Sequence, residues 1–218
     1  MSSGIFVIGT DTGVGKTMTA CALLRAHVAR GLRAVGMKPV ASGIDLDSGR
    51  NEDVAALEAA GNVQAPLGTR NPYAFAPAIA PHLAAAQAGV KIELGRIAFA
   101  YRELARSADR IVVEGAGGAF SPLDDKYDML DIASTVGLPV LLVVGIRLGC
   151  LNHALLSALA IRARGLTLAG WVANAIEPTL PYFDENVATI ERRLAAPLLA
   201  TLPWSQAGTP SWNGKAEM

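Results

Sequence analysis

An α/β fold with a mostly parallel central sheet and helices on both faces is what this sequence predicts. Two observations carry that expectation. Short, nearly continuous apolar runs alternate with helix-length stretches along most of the chain, as in strands buried on both faces of a parallel sheet and joined by right-handed crossovers. A glycine-rich turn also separates the first apolar run from the first helical stretch. Composition agrees, because 51% hydrophobic residues against 17% charged ones suits a sheet covered on both sides. The 218 residues fit one large domain, expected over 1–204.

The elements follow in order. Residues 5–8, Ile-Phe-Val-Ile, read as a buried strand, and 18–30 have helical spacing with Leu, Ala and Val on one side. Between them lies Gly9-Thr10-Asp11-Thr12-Gly13-Val14-Gly15-Lys16-Thr17. Such a turn aims successive backbone N–H groups and the positive end of a helix dipole at one point, which suits a phosphate. Lys16 adds a mobile charge for the β- and γ-phosphates, and the Thr17 hydroxyl adds a ligand for Mg²⁺. The expected fold is therefore P-loop NTPase-like, although five residues rather than the usual four separate Gly9 from Gly15.

Further strands are expected at 34–37, 111–113, 140–144, 168–173 and 198–202, with helices including 98–106 and 154–164. Residues 62–82, rich in Pro, Asn and Ala without periodicity, are expected to form a loop near the site or at a subunit contact. The polar, Gly- and Pro-bearing tail, 205–218, is expected to be poorly ordered.

In open parallel sheets, ligands gather at the carboxyl ends of the strands, so the residues closing each run deserve inspection. Glu114 follows three β-branched residues, where a carboxylate can bind Mg²⁺ opposite Thr17, although a helix cap or surface pair would also use it. The glycines after it allow close approach of a phosphate or substrate. Asp53 opens another helical stretch and reads equally as a second metal carboxylate or an ordinary first-turn acid. Lys38, before Pro39 at a strand end, can neutralise an anionic acceptor or simply snorkel to solvent. Ser42 is placed to contact the same acceptor. Gly149 and Asn152 flank a helix start suited to a carboxylate.

Equal numbers of basic and acidic residues, 19 each, give no global field for nucleic acid. Two cysteines argue against a disulfide scaffold, and the three histidines lack partners at metal-ligand spacing. The N-terminus carries no export pattern, and the apolar run 136–146 is too short to span a bilayer, so a cytoplasmic, membrane-free protein is expected.

Taken together, these segments resemble the dethiobiotin synthetase family nearly throughout the chain up to Trp204. The resemblance rests on the 9–17 loop and on Lys38-Pro39-Val40-Ala41-Ser42-Gly43. It rests also on Val113-Glu114-Gly115-Ala116-Gly117-Gly118, on Leu148-Gly149-Cys150-Leu151-Asn152-His153-Ala154 and on Gly170-Trp171-Val172-Ala173-Asn174. The five-residue glycine spacing is the family's form. The resemblance implies ATP- and Mg²⁺-dependent closure of a ureido ring on 7,8-diaminononanoate with CO2. That reaction runs through a carbamate and a carbamic–phosphoric anhydride. It implies Lys16 and Lys38 as catalytic cations and Thr17, Asp53 and Glu114 as the Mg²⁺ set. ATP would meet Thr12, Gly13, Val14, Gly15, Lys16, Thr17, Met18, Asp53, Glu114, Gly115, Ala116 and Gly117, with Asn174, Pro203, Trp204 and Ser205 at the base. The organic substrate would meet Thr12, Lys38, Ser42 and Gly118, and its carboxylate would meet Cys150, Leu151 and Asn152 across a homodimer interface.

Rival readings remain at this point. A partitioning or regulatory ATPase would carry a second lysine early in the loop, where Thr10 and Asp11 stand. A GTPase would carry Asn-Lys-x-Asp, against Asn174-Ala175-Ile176-Glu177 here. A passive nucleotide-binding module would have no use for Lys38, Ser42 and Glu114 together.

Overall fold

A computed structural model describes residues 3–45 and 47–204. Ser205 and the tail expected to be poorly ordered lie outside them. Six strands form one sheet in the order β2 (Ala34–Met37), β5 (Arg110–Gly118), β1 (Ser3–Gly9), β6 (Val140–Ile146), β7 (Leu168–Ala175), β8 (Leu198–Leu202). Every neighbouring pair is parallel. The first strand thus lies inside the sheet, with β5 on one side and β6 on the other, so its carboxyl end is a crevice where the chain winds in opposite directions.

Alternation along β1 assigns the two faces. Ile5 and Val7 pack with Leu23 and Leu24 of α1 (Lys16–Ala29) and Leu57 of α2 (Glu52–Ala60). Phe6 and Ile8 point the other way. They join a larger core with α5 (Leu94–Ala105), α6 (Met129–Val136), α7 (Cys150–Ala163) and α8 (Phe183–Leu194). All seven residues of β6 are buried, which is why that run is apolar without alternation. Each large aliphatic side chain so buried contributes about 1.5–3 kcal/mol. Among the described residues, no helix is long and apolar enough to cross a membrane.

Three elements differ from the sequence expectation. β5 continues through Glu114 to Gly118, with a register shift against β1 that brings Gly9 opposite Gly118. β7 extends to Ala175, so Asn174 lies within a strand rather than after it. The stretch 62–82 is not one loop. It holds α3 (Leu67–Arg70) and β4 (Tyr73–Phe75) and reaches the first turn of α4 (Pro81–Gln87). β4 pairs in parallel with β3 (Val40–Ser42) in a separate two-stranded sheet. Three-residue strands are too short to show a period in sequence, and here they form because they pair with each other.

Candidate functional site

The phosphate loop leaves β1 at Gly9 and enters α1 at Lys16. Gly13 and Gly15 adopt φ of 75° and 92°, a region that favours glycine. Gly15 has a second reason for lacking a side chain, because a Cβ there would overlap the amide of Asn174. That amide donates to the Val14 carbonyl at 2.9 Å, so β7 supports the loop from beneath. Lys16 donates to the Asp11 carbonyl at 2.9 Å. Burial, reinforced by the nearby Lys38 charge, pulls the Lys16 ammonium down to about 8. The Asp11 carboxylate accepts from the Thr12 N–H at 2.7 Å and from Arg147 at 2.6 Å. Those two bonds, led by the Thr12 N–H, hold Asp11 below the ordinary carboxylate value.

Beside the loop, β2, α2 and β5 bring one cation and two carboxylates together. Lys38 Nζ lies 2.7 Å from Asp53 Oδ2 and 2.6 Å from Glu114 Oε1. The Thr17 hydroxyl lies 2.7 Å from Asp53 Oδ1 and 2.8 Å from Glu114 Oε1. Asn51 caps α2 by accepting from Asp53 N–H at 3.1 Å and Val54 N–H at 3.3 Å, which sets where Asp53 begins the helix. Burial pulls the Lys38 ammonium down, but the Glu114 and Asp53 charges outweigh it and leave Lys38 above the usual lysine value. Burial alone would raise Asp53, yet Lys38 brings it below the usual carboxylate value. Glu114 is fully buried, and that burial raises its carboxyl despite Lys38.

A cleft of about 760 Å³ opens over this cluster. Of the residues expected in the site, Thr12, Gly13, Gly15, Lys16, Thr17, Met18, Lys38, Ser42, Asp53, Glu114, Ala116 and Gly117 line it. The Val14 side chain is buried, and a Cβ on Gly115 would run into Ile8 and Phe6. Gly118 donates its N–H to Ser121 Oγ at 2.9 Å. The cleft also includes residues that the motifs did not announce, namely Ala78, Ile79, Ala80, Pro81, Ser121 and Pro122. The first four fall in the 62–82 stretch, which was expected near the site or at a subunit contact, and no sequence signal singled out Ser121 or Pro122.

The remaining expected residues lie elsewhere. Pro203 and Trp204 line a second, more apolar cavity of about 520 Å³ with Ala175, Glu177, Pro178, Leu180, Phe183 and Thr201. Asn174 is buried, and its Oδ1 has no partner among the described residues. Cys150, Leu151 and Asn152 begin α7 after Gly149, whose φ is 93°, and do not line the cleft. The Cys150 side chain is buried, Leu151 is half-buried and Asn152 is exposed.

The donor set fits Mg²⁺. Thr17, Asp53 and Glu114 offer only hard oxygens, and Glu114 Oε2 is buried with no partner among the described residues. Two carboxylates and one hydroxyl are too few for an all-protein cage. That suits an ion that keeps waters and takes further oxygens from phosphates.

A family model described as an AAA domain matches residues 3–211. Among solved structures, a ParA family ATPase from Chlorobium tepidum superposes with a TM-score of 0.59 at 15% identity, over 95% of this chain and 87% of that one. The cell division protein FtsY of Thermotoga maritima gives 0.54 at 18% identity, and this chain spans 64% of it. At such identities these likenesses concern the fold, which is that of P-loop NTPases. Curated relatives are much nearer. The ATP-dependent dethiobiotin synthetase BioD of Nitrosospira multiformis is 53% identical over 94% of this chain and 90% of its own length. That of Aromatoleum aromaticum is 50% identical over 94% and 92%. At 53% and 50% identity over 94% of its length, the chain belongs to the ATP-dependent dethiobiotin synthetase family.

Proposed function

We propose that this chain closes the ureido ring of dethiobiotin from 7,8-diaminononanoate, CO2 and ATP. The observation that carries this reading is a second buried ammonium, Lys38, in the same cleft as the phosphate-loop Lys16. Nucleotide binding alone is served by the loop. A second cation held between two acids serves an anionic acceptor that must meet the γ-phosphate.

In this reading one substrate amine adds to CO2, releasing a proton and leaving a carbamate. A carbamate oxygen then attacks the γ-phosphorus while the bond to the ADP oxygen breaks. The second amine attacks the carbonyl carbon of the resulting anhydride, the C–O bond to phosphate breaks, and the ring closes with release of phosphate and the amine's proton. Two anions must approach each other in the second step. Lys16 and Lys38 lower that repulsion, and the gain is electrostatic and positional, with no protein nucleophile required. Mg²⁺, held by Thr17, Asp53 and Glu114, would supply further charge neutralisation on the phosphates. Ser42, whose buried hydroxyl has no partner among the described residues and which lines the cleft, would hydrogen-bond the carbamate end.

The cavity at Trp204 and Pro203 supports a nucleobase site, since it is apolar and lies beyond the carboxyl ends of β7 and β8. A homodimer would bring the start of α7 to a partner's cleft. Leu148, Leu156 and Leu159 are exposed there and on the helix that follows, which supports a partner at that face.

Mass spectrometry of the purified protein with ATP, Mg²⁺, bicarbonate and 7,8-diaminononanoate tests the reading. Dethiobiotin and ADP forming in equal amounts is the expected result. ATP turnover without dethiobiotin would overturn the substrate assignment, and ATP binding without turnover would overturn the enzyme assignment.

A further inference from the structure

Lys38 stands just past the end of β2, where the backbone leaves the sheet, yet its side chain must bridge two carboxylates. Its backbone is fastened by the last residue of α3 and the one after it. Lys38 N–H donates to the Arg70 carbonyl at 2.8 Å. The Lys38 carbonyl accepts from Asn71 Nδ2 at 2.6 Å, and the same amide nitrogen donates to the Tyr73 carbonyl at 2.9 Å. Asn71 is buried, so these bonds do not compete with water.

The neighbouring residue extends the fastening to α2. Arg70 donates to Glu58 at 2.7 Å and to the Ala65 carbonyl at 3.0 Å. Glu58 lies on the helix whose first turn carries Asp53. The two halves of the Lys38–Asp53 pair are thus tied to one dipeptide, Arg70-Asn71, from outside the cleft. Neither residue lines it.

We propose that Asn71 is a positioning residue for the reaction proposed above, holding the Lys38 backbone so that its ammonium stays between Asp53 and Glu114. Asn71 touches no reacting atom in this role and acts only through Lys38. The proposal rests on the catalytic part assigned to Lys38, and its test has one arm that does not depend on turnover.

Asn71→Ala and the near-isosteric Asn71→Asp, which lacks the amide donors, are compared with the parent, with rates expressed per ATP-binding site to correct for folding. Ring closure should fall about tenfold or more while ATP affinity stays within twofold. In a Lys38→Met background the same substitution should change the rate less than twofold, because two residues that act as one unit are not additive. A merely structural role would reduce both backgrounds equally. The second arm labels lysines with an amine-reactive reagent and reads the peptides by mass spectrometry. Lys38 labelling should rise severalfold in the Asn71 variants, with the exposed Lys91 and Lys126 as unchanged controls. Unchanged Lys38 labelling, or equal losses in both backgrounds, would overturn the proposal, as would loss of ATP binding in both Asn71 variants. A parent that makes no dethiobiotin but shows the labelling change would reject the reaction and keep the positioning.

Discussion

Lys38 and Glu114 form a buried ion pair at 2.6 Å, and Glu114 Oε1 also accepts the Thr17 hydroxyl at 2.8 Å. One carboxylate oxygen therefore joins the second cation to the phosphate loop's own hydroxyl. The two side chains are only 5% and 0% exposed, so the Glu114 charge depends on Lys38 for its counter-charge, while Lys38 also has Asp53.

Lys38→Met should retain ATP binding and lose ring closure by about 10²–10³-fold, because the developing anion loses a preorganised counter-charge. The same change leaves Glu114 buried and uncompensated, so stability in urea should fall by about 3–5 kcal/mol. Adding Glu114→Gln should recover part of the stability and none of the activity. Undiminished turnover in Lys38→Met would reject the catalytic role.

Gly15→Ala places a methyl group where the Asn174 amide lies and forces a left-handed backbone on alanine. ATP affinity should fall about tenfold or more, equivalent to at least about 1.4 kcal/mol. Asn174→Ala leaves the buried Val14 carbonyl without its donor and should cost about 1–3 kcal/mol of stability. Calorimetric ATP titration and denaturation curves check the two in turn.

His27 gives the protein a pH dependence remote from the cleft. It is buried on α1, its Nδ1 has no partner among the described residues, and burial with help from Arg110 and Arg30 lowers the imidazole to about 4. An unfolded chain protonates it near the ordinary 6.5, so the unfolded state binds the proton first as pH falls. Stability should decline between 6.5 and 4 by about 3 kcal/mol from this group, with no contribution above 7. Urea midpoints at pH 7.5, 6 and 5, compared with His27→Leu, read the difference. Parallel curves for the two proteins would exclude it.

Removal of divalent cations with EDTA should abolish turnover, and added Mg²⁺ should restore it. Thr17→Val removes one oxygen from the set and should raise the Mg²⁺ concentration for half-maximal rate by about tenfold. A Mg²⁺ requirement equal to the parent's would remove Thr17 from the ligand set.

Much of the site was legible because its parts are local. The 9–17 loop, Lys38 at the end of one apolar run and Glu114 at the end of another are patterns of composition and position that need no knowledge of the rest. The strands were legible for the same reason, since burial on both faces makes their sequences uniformly apolar. The 62–82 stretch was not. Tyr73–Phe75 is a strand only because Val40–Ser42 lies beside it, and neither is long enough to announce a period.

By itself, then, the sequence determined the fold class, the phosphate loop and the inventory of acids and cations. Tertiary structure alone decided which of them meet. Thr17 and Glu114 are 97 residues apart, and they touch because β1 inserts between β5 and β6. Asn174 reaches Val14 across 160 residues and serves the loop from below, and Asn71 grips Lys38 from outside the cleft. Local propensity is a property of a few neighbouring residues. Such pairings depend instead on strand order and on the buried packing of the whole sheet, which no short window of sequence contains.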